Sequence, residues 1–321
     1  MNLLNDNDLK TIAVTGATGF IGTHLLDKLK NYKNVQIRAL IHKDHLAGTF
    51  DTSSIAVIEG DLLDQGSLKH FPTRGSTVVN LVYLKGRSGE ENLSAVDNLG
   101  AACAEAGIKR LIHCSTAVVV GRVPENIINE ETKCNPINDY EIEKLEIEKL
   151  LIEKYSGLFE IVILRPTAVF GPGGRNLLKM ADHISHGNRV INYVRSCLYN
   201  KRKMNLVSVE NVVNALGFLI SCKKIGINPE IFIISDDEDL SNEYRKIEIS
   251  MLRSFRKKDY FIPVVPIPLF VLGSILKFSG RTNCNPLTVY SCSKLVGEGF
   301  IKKRPFQEGL IDFIDWYKVN S

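Results

Sequence analysis

The sequence predicts an α/β fold, a doubly wound parallel sheet with a smaller, discontinuous C-terminal region attached to it. Three observations predict it. A glycine-rich turn, Thr15-Gly16-Ala17-Thr18-Gly19-Phe20-Ile21-Gly22, joins an apolar run to a stretch of helical spacing. Short apolar runs then alternate with helix-length segments through the first half of the chain. A last apolar run, Ile231-Phe232-Ile233-Ile234, comes late and reads as a strand returning to the same sheet.

Composition sets the bounds. At 321 residues the chain can bury one large core, or one core and an appendage. With 44% hydrophobic and 24% charged residues it has the make-up of an ordinary globular protein. A net charge of +4 is too small to argue for a nucleic-acid partner. The 7 cysteines form no C-x-x-C pair and are odd in number, so they read as reduced thiols, with no disulfide framework and no metal site. Met1 to Lys10 is polar and lacks the apolar core of a signal peptide. The longest apolar stretch, Phe261 to Leu276, is broken by Pro263, Pro266 and Pro268, too short and interrupted for membrane insertion. A cytoplasmic enzyme is expected.

Taken in order, Thr11-Ile12-Ala13-Val14 reads as the first buried strand. Gly16 permits the tight turn, Gly19 lets the backbone approach a pyrophosphate, and Gly22 lets the following helix pack close to the strand. The helix start offers N–H groups and a positive dipole end to phosphate. An ordinary glycine turn is the alternative, and the strand, helix and second strand in the required places argue against it. Val35 to Ile41 is that second strand, closing a βαβ unit of roughly thirty residues. The residue ending it selects the dinucleotide, because a carboxylate there binds the ribose hydroxyls of NAD and repels a 2′-phosphate. His42 and Lys43 stand at this point, which favours NADP(H). Asp44, slightly further on, keeps NAD(H) open, and both basic residues also suit a solvated loop. Ile55 to Leu62 reads as a third strand reaching Asp61, an acceptor for an adenine amino group or equally an N-cap for the next segment. Thr77 to Val82 is a fourth strand, Asn92 to Ala106 an alanine-rich helix closed by Gly107, and Arg110 to Ser115 a fifth strand.

The chemistry starts at the end of that fifth strand, with Ser115-Thr116. Tyr140 and Lys144 then open a helix that runs to about Lys154, and at four residues apart they share one face. A phenol has a reference pKa near ~10 and is a poor acid–base catalyst at neutral pH. A neighbouring ammonium stabilises the phenolate and lowers that value. The phenol can then pass a proton to or from a substrate oxygen while hydride moves to or from a nicotinamide. The hydroxyl of Thr116 would hold the same oxygen. The competing reading makes Tyr140 and Lys144 surface residues of a charged helix, and the repeated Glu-Ile-Glu-Lys pattern gives it weight.

Together these motifs resemble an extended short-chain dehydrogenase/reductase of the NAD-dependent epimerase/dehydratase family. The resemblance rests on T-G-A-T-G-F-I-G at 15–22, G-D-L at 60–62, S-T-A-V-V-V-G at 115–121, Y-E-I-E-K at 140–144, L-R-P-T-A-V-F-G-P-G at 164–173, V-S-V-E-N at 207–211 and E-G-L…W-Y at 308–317. It spans nearly the whole chain. It implies a Rossmann-type sheet domain over 1–175, with strands near 206–209 and 231–235 returning to it, and a mainly substrate-binding region over 176–321. It implies a catalytic set of Thr116, Tyr140 and Lys144. Cofactor contacts follow at Gly16, Thr18, Gly19, Phe20, Ile21, Gly22, His42, Lys43, Asp61, Leu62, Leu81 and Asn92, besides Tyr140 and Lys144. It also implies a nucleotide-sugar substrate and a homodimer formed through helices around 92–106 and 140–154. Two departures stand out: Val82 and Tyr83 replace the family's Ala-Ala pair, and Val120 stands where a tyrosine is common. Family 4,6-dehydratases carry an Asp-Glu pair after the threonine, where this chain has Ala117-Val118, which argues against dehydration. The C-terminal half resembles bacterial nucleotide-sugar 4-reductases and 4-epimerases of surface-polysaccharide synthesis. Reduction of a 4-keto sugar is the leading expectation, 4-epimerisation with retained NAD the alternative, and reduction of an apolar ketone a further one.

In the second half, Asn176 either touches the substrate diphosphate, as the resemblance implies, or caps a helix. Arg202 and Lys203, in the basic run beginning at Lys201, are further candidates for the diphosphate, or members of a solvated loop. Arg253 to Lys258 is basic and precedes the apolar stretch beginning at Phe261. It reads as a helix end followed by a strand and a core helix, with a membrane-surface patch as the alternative.

Overall fold

Runs of Val, Ile and Leu without polar alternation must be covered on both faces, and a parallel sheet between two helix layers does this. The structure, a computed structural model, describes residues 10–43, 54–223, 229–278 and 284–321. In chain order the elements are β1 (Lys10–Thr15), α1 (Phe20–Leu29), β2 (Val35–Ile41), β3 (Ile55–Glu59), β4 (Thr77–Asn80), α2 (Gly89–Ala106), β5 (Arg110–Cys114), β6 (Ile127–Ile128), α3 (Asp139–Tyr155), β7 (Glu160–Pro166) and β8 (Ala168–Phe170). They continue with α4 (Leu178–His186), α5 (Arg189–Tyr199), β9 (Leu206–Ser208), α6 (Val209–Ser221), β10 (Glu230–Ile234), α7 (Tyr244–Ser254), α8 (Leu269–Phe278), β11 (Val289–Tyr290), α9 (Ser293–Gly297) and α10 (Phe306–Asn320).

The main sheet has 7 strands in the order β3-β2-β1-β4-β5-β7-β10. All its pairings are parallel, with Val14 beside both Ala39 of β2 and Val79 of β4. Helices α1 and α6 cover one face through Leu25, Leu26, Leu29, Val212 and Leu216. Helices α2 and α3 cover the other through Val96, Leu99, Ile147 and Leu151. A third apolar cluster joins α4, α7 and α10 to β8 and β9 through Phe170, Ile247, Met251 and Phe313. Strand order reverses between β1 and β4, and in such sheets the crevice at the strands' carboxyl ends at this point is where ligands bind.

Local chemistry explains the helix limits. Ser88 and Glu91 form a reciprocal capping box, so α2 begins at Gly89 and not at Asn92. Its end is closed by Gly107 in the left-handed conformation. The strand at Leu206–Ser208 differs from expectation: it pairs with β8 in a separate two-stranded sheet, while β10 takes the edge beside β7. The segment after α7 forms no strand either, because Pro263, Pro266 and Pro268 bring no N–H to a ladder. Helix α8 buries Leu272 and Leu276 but leaves Phe270 and Ile275 exposed, so it is less of a core helix than its composition suggested.

A buried polar chain crosses the centre of the sheet. Thr15 Oγ1 donates to Asn80 Oδ1 at 2.6 Å, and Asn80 Nδ2 donates to His113 Nδ1 at 3.0 Å. Burial, and then the charge of Lys144, hold the His113 imidazole well below its ordinary pKa of 6.5. The unfolded chain therefore takes up a proton that the folded chain refuses, and stability is lost as pH falls below about 6.5. Asp237 works in the opposite sense: burial pushes its carboxyl from 3.8 up to about 7, so its contribution declines as pH rises across that interval. Comparing variants separates the two. His113→Gln is expected to flatten the acid-side loss in chemical denaturation followed against pH, and an unchanged profile would count against a neutral buried imidazole.

Candidate active site

The glycine turn sits at the switch point, and its shape is forced. Gly16 has φ +67°, which disfavours any other residue. A Cβ on Gly22 would lie 2.1 Å from the Gly16 carbonyl oxygen and 2.9 Å from Ala17, so α1 packs against the turn only through glycine. Helix α1 has no side-chain cap at Gly19, which leaves its first N–H groups and the positive end of its dipole for an anion. Gly22→Ala is expected to weaken dinucleotide binding by at least about tenfold, one decade in Kd. A fluorescence titration giving parental affinity would refute the close-packing argument.

Two cavities meet over this turn. The first, about 410 Å³, is lined by Gly16, Thr18, Gly19, His42, Asp61, Leu62, Leu81, Val82 and Tyr83, among others. The second, about 910 Å³, shares Thr18, Gly19, Leu81 and Tyr83 with it and adds Phe20, Ile21, Ser115, Thr116, Tyr140, Lys144, Thr167, Arg175 and Asn176. A continuous channel therefore runs from the end of β2, across the turn, to the start of α3. Its length of backbone and its uncapped helix end suit a dinucleotide.

In the second cavity, Thr116 Oγ1 accepts from the Val118 N–H at 3.4 Å, and its side chain stands beside Tyr140 in the same lining. Burial pushes the phenol above its ordinary pKa, Cys114 adds to this, and Thr116 opposes it. The downward shift expected from Lys144 is absent, and Tyr140 holds its proton at neutral pH. Lys144 is buried, and burial lowers its pKa while Cys114 and Glu148 raise it. Helix α3 also buries Glu141 and Glu148, so the charged-surface-helix reading fails for Lys144, while Tyr140 in the first turn is 41% exposed. The Tyr83 ring makes an edge contact with Tyr140 at 5.1 Å between centroids and lies 4.8 Å beneath Lys144 Nζ, while its hydroxyl donates to Glu143 at 2.7 Å.

Several expected residues lie elsewhere. Asn92 spends its amide on the loop before α2, accepting from Leu84 N at 2.8 Å and donating to Ser88 O at 3.2 Å, and it lines neither cavity. Asp61 accepts from Leu63 N, while Asp64 caps the short turn that follows, so the cap alternative belongs to Asp64. His42 faces Asp61 at 3.6 Å. Lys43 is exposed and lines neither cavity, and Asp44 lies outside the described residues. Lys203 pairs with Glu243 at 3.3 Å and Arg202 stacks on Tyr199, both away from the channel. Arg175, directly after the Gly-Pro-Gly-Gly turn, is the cation at the second cavity that sequence reasoning missed; its signal was its place beside Asn176. Asn176 donates to Val169 O of β8 at 2.7 Å and does not cap a helix, as α4 starts at Leu178. The hydroxyls of Ser115 and Thr167 are buried without a protein partner at the same cavity, where a polar ligand can satisfy them. Val120 is buried away from the channel. Among the described residues no three His, Cys, Asp or Glu side chains gather to hold a metal.

Comparison with known proteins gives the family and the fold. The chain is 28% identical over 298 residues to a UDP-glucose 4-epimerase of Vibrio cholerae, covering 85% of this chain and 84% of that one. It is 25% identical over 335 residues to N-acetyl-alpha-D-glucosaminyl-diphospho-ditrans,octacis-undecaprenol 4-epimerase of Escherichia coli O157:H7, covering 96% and 94%. Its fold matches the crystal structure of dTDP-glucose 4,6-dehydratase from Bacillus anthracis in complex with NAD, with a TM-score of 0.70, 17% identity and 97% of each chain covered. The family model for NAD dependent epimerase/dehydratase matches residues 12–235. With the glycine turn, the phenol–lysine pair and this match in agreement, the chain belongs to the NAD-dependent epimerase/dehydratase family.

Proposed function

We propose that the protein interconverts a ketone and a hydroxyl at C4 of a nucleotide-linked sugar. The observation that carries this reading is that the cavity around Tyr140 is lined by a single proton-transfer unit and by no Asp or Glu among the described residues. Removing water from a sugar calls for a separate acid and base, and the places after Thr116 hold Ala117 and Val118. A ketone–alcohol exchange needs one group to move one proton, and Tyr140 suffices. The dinucleotide would be held by the glycine turn, the α1 N-terminus and Lys144, and it supplies or takes the hydride. Tyr140 gives its proton to the substrate oxygen in reduction and recovers it in oxidation, and Thr116 orients that oxygen. Arg175 and Asn176 stand where a diphosphate would be met by a guanidinium fork.

Two finer readings divide on the cofactor. Release of the dinucleotide after each turnover makes a 4-ketoreductase, and His42, which lines the first cavity at the end of β2, supports NADPH for that role. Retention makes a 4-epimerase, which the names of the Vibrio and Escherichia relatives support. The Asp61 carboxylate opposite His42 would repel a 2′-phosphate and supports NAD(H). Denaturing freshly purified protein and assaying the released dinucleotide decides between them. Stoichiometric NAD is the epimerase result. An empty protein that binds NADPH more tightly than NADH is the reductase result. Binding neither dinucleotide would overturn the proposal itself.

A further inference from the structure

Helix α5 is built inside out. Its buried positions are polar: Asn192 donates to the His183 carbonyl, and Ser196 donates to Glu248 at 2.6 Å. Its apolar residues Val190, Ile191 and Val194 recur at helical spacing on the exposed side, Val190 being 70% exposed. The segment after α7 runs along this helix, with Tyr193 donating to Pro263 O at 3.1 Å and Ile267 N to Cys197 O at 3.1 Å. It adds Phe261, 91% exposed, with Ile262 and Val265. Contiguous apolar exposure of this kind marks an interaction site.

The surroundings are cationic. The stretches 186–195 and 253–262 hold six Arg or Lys and one acid, Asp259, which pairs with Arg245 at 2.6 Å. Arg189, Lys257 and Lys258 line a cleft of about 60 Å³ beside the patch, and the Arg189 guanidinium lies 5.5 Å from the Phe261 ring centroid. A small cationic cleft next to exposed Phe, Ile and Val is the arrangement that takes a phosphate headgroup while side chains enter the acyl boundary. We propose that this face docks the protein on an anionic phospholipid bilayer. A second copy fits it less well, since a two-fold interface would set the six cations against themselves. No helix among the described residues is long and apolar enough to cross a membrane, so the attachment is to the surface. Helix α4 leads from Arg175 and Asn176 at the catalytic cavity to this face within 9 residues.

Flotation of the full chain with phosphatidylcholine vesicles, with and without phosphatidylglycerol, tests the proposal. The chain is expected to float with the anionic vesicles at low salt and to stay behind with the neutral ones. Lys258→Gln should cut the bound fraction roughly fivefold. Val194→Ser with Phe261→Ser should cut it about tenfold or more. Melting temperature and dinucleotide affinity should not move in either variant, which keeps this result separate from the catalytic proposal. Absence of flotation, or variants that float like the parent, would overturn it. So would a dimer in sedimentation that Val194→Ser with Phe261→Ser splits, because the face would then belong to a second copy.

Discussion

Tyr140→Phe is expected to lower turnover by about 10²- to 10⁴-fold, the range for loss of a positioned proton donor. Dinucleotide affinity should stay within about threefold, a change of well under 1.4 kcal/mol. The split follows from where the phenol stands. It lines the same cavity as Thr116, while its ring rests edge-on against Tyr83. Phenylalanine keeps the ring contact and removes only the proton. Single-turnover hydride transfer, followed by nicotinamide absorbance, isolates the step. Turnover within tenfold of the parent would remove Tyr140 from the chemistry.

The second large effect concerns stability. Arg165 on β7 and Glu148 on α3 are both buried, and the guanidinium meets the carboxylate at 2.5 Å through Nη2 and at 3.1 Å through Nε. Glu148 lies one turn beyond Lys144, so the pair fixes the helix that carries the catalytic lysine. Arg165→Leu leaves a buried carboxylate with its main partner gone, and a loss of about 3–5 kcal/mol is expected in chemical denaturation. The pair as a whole is worth far less, because two desolvated charges nearly cancel their attraction. Glu148→Leu with Arg165→Met is therefore expected to regain most of that stability. If the double variant is as unstable as the single, the ion pair itself holds the fold.

The main sheet was legible because its signals are local. Each strand is a short apolar run, and β2 begins and ends where its Val35–Ile41 run does. The turn was legible because Gly16 and Gly22 answer steric demands within a few residues. What stayed hidden depends on tertiary placement. That β9 pairs with β8 cannot be read from three apolar residues. Arg202 and Arg175 are alike as sequence, and only the fold puts one on Tyr199 and the other at the cavity. Asn92 sits in the helix where the resemblance put it, but its amide is drawn back to the Ser88 cap four residues earlier and to the loop at Leu84. The inverted burial of α5 escaped because an amphipathic pattern says that two faces differ and not which one is covered.

The chain of Thr15, Asn80 and His113 acts as a key for the sheet. Neighbouring strands of Val and Ile are nearly interchangeable when slid by two residues, since the same faces stay apolar. Sliding β4 by two would set Val78 or Val82 opposite the Thr15 hydroxyl and leave the imidazole facing a hydrocarbon. Each stranded polar group would cost about 1–3 kcal/mol. Only one alignment fits the key. Leu81 N donates to Thr15 Oγ1 at 3.3 Å, so the same alignment fixes the height of the channel floor beneath the glycine turn.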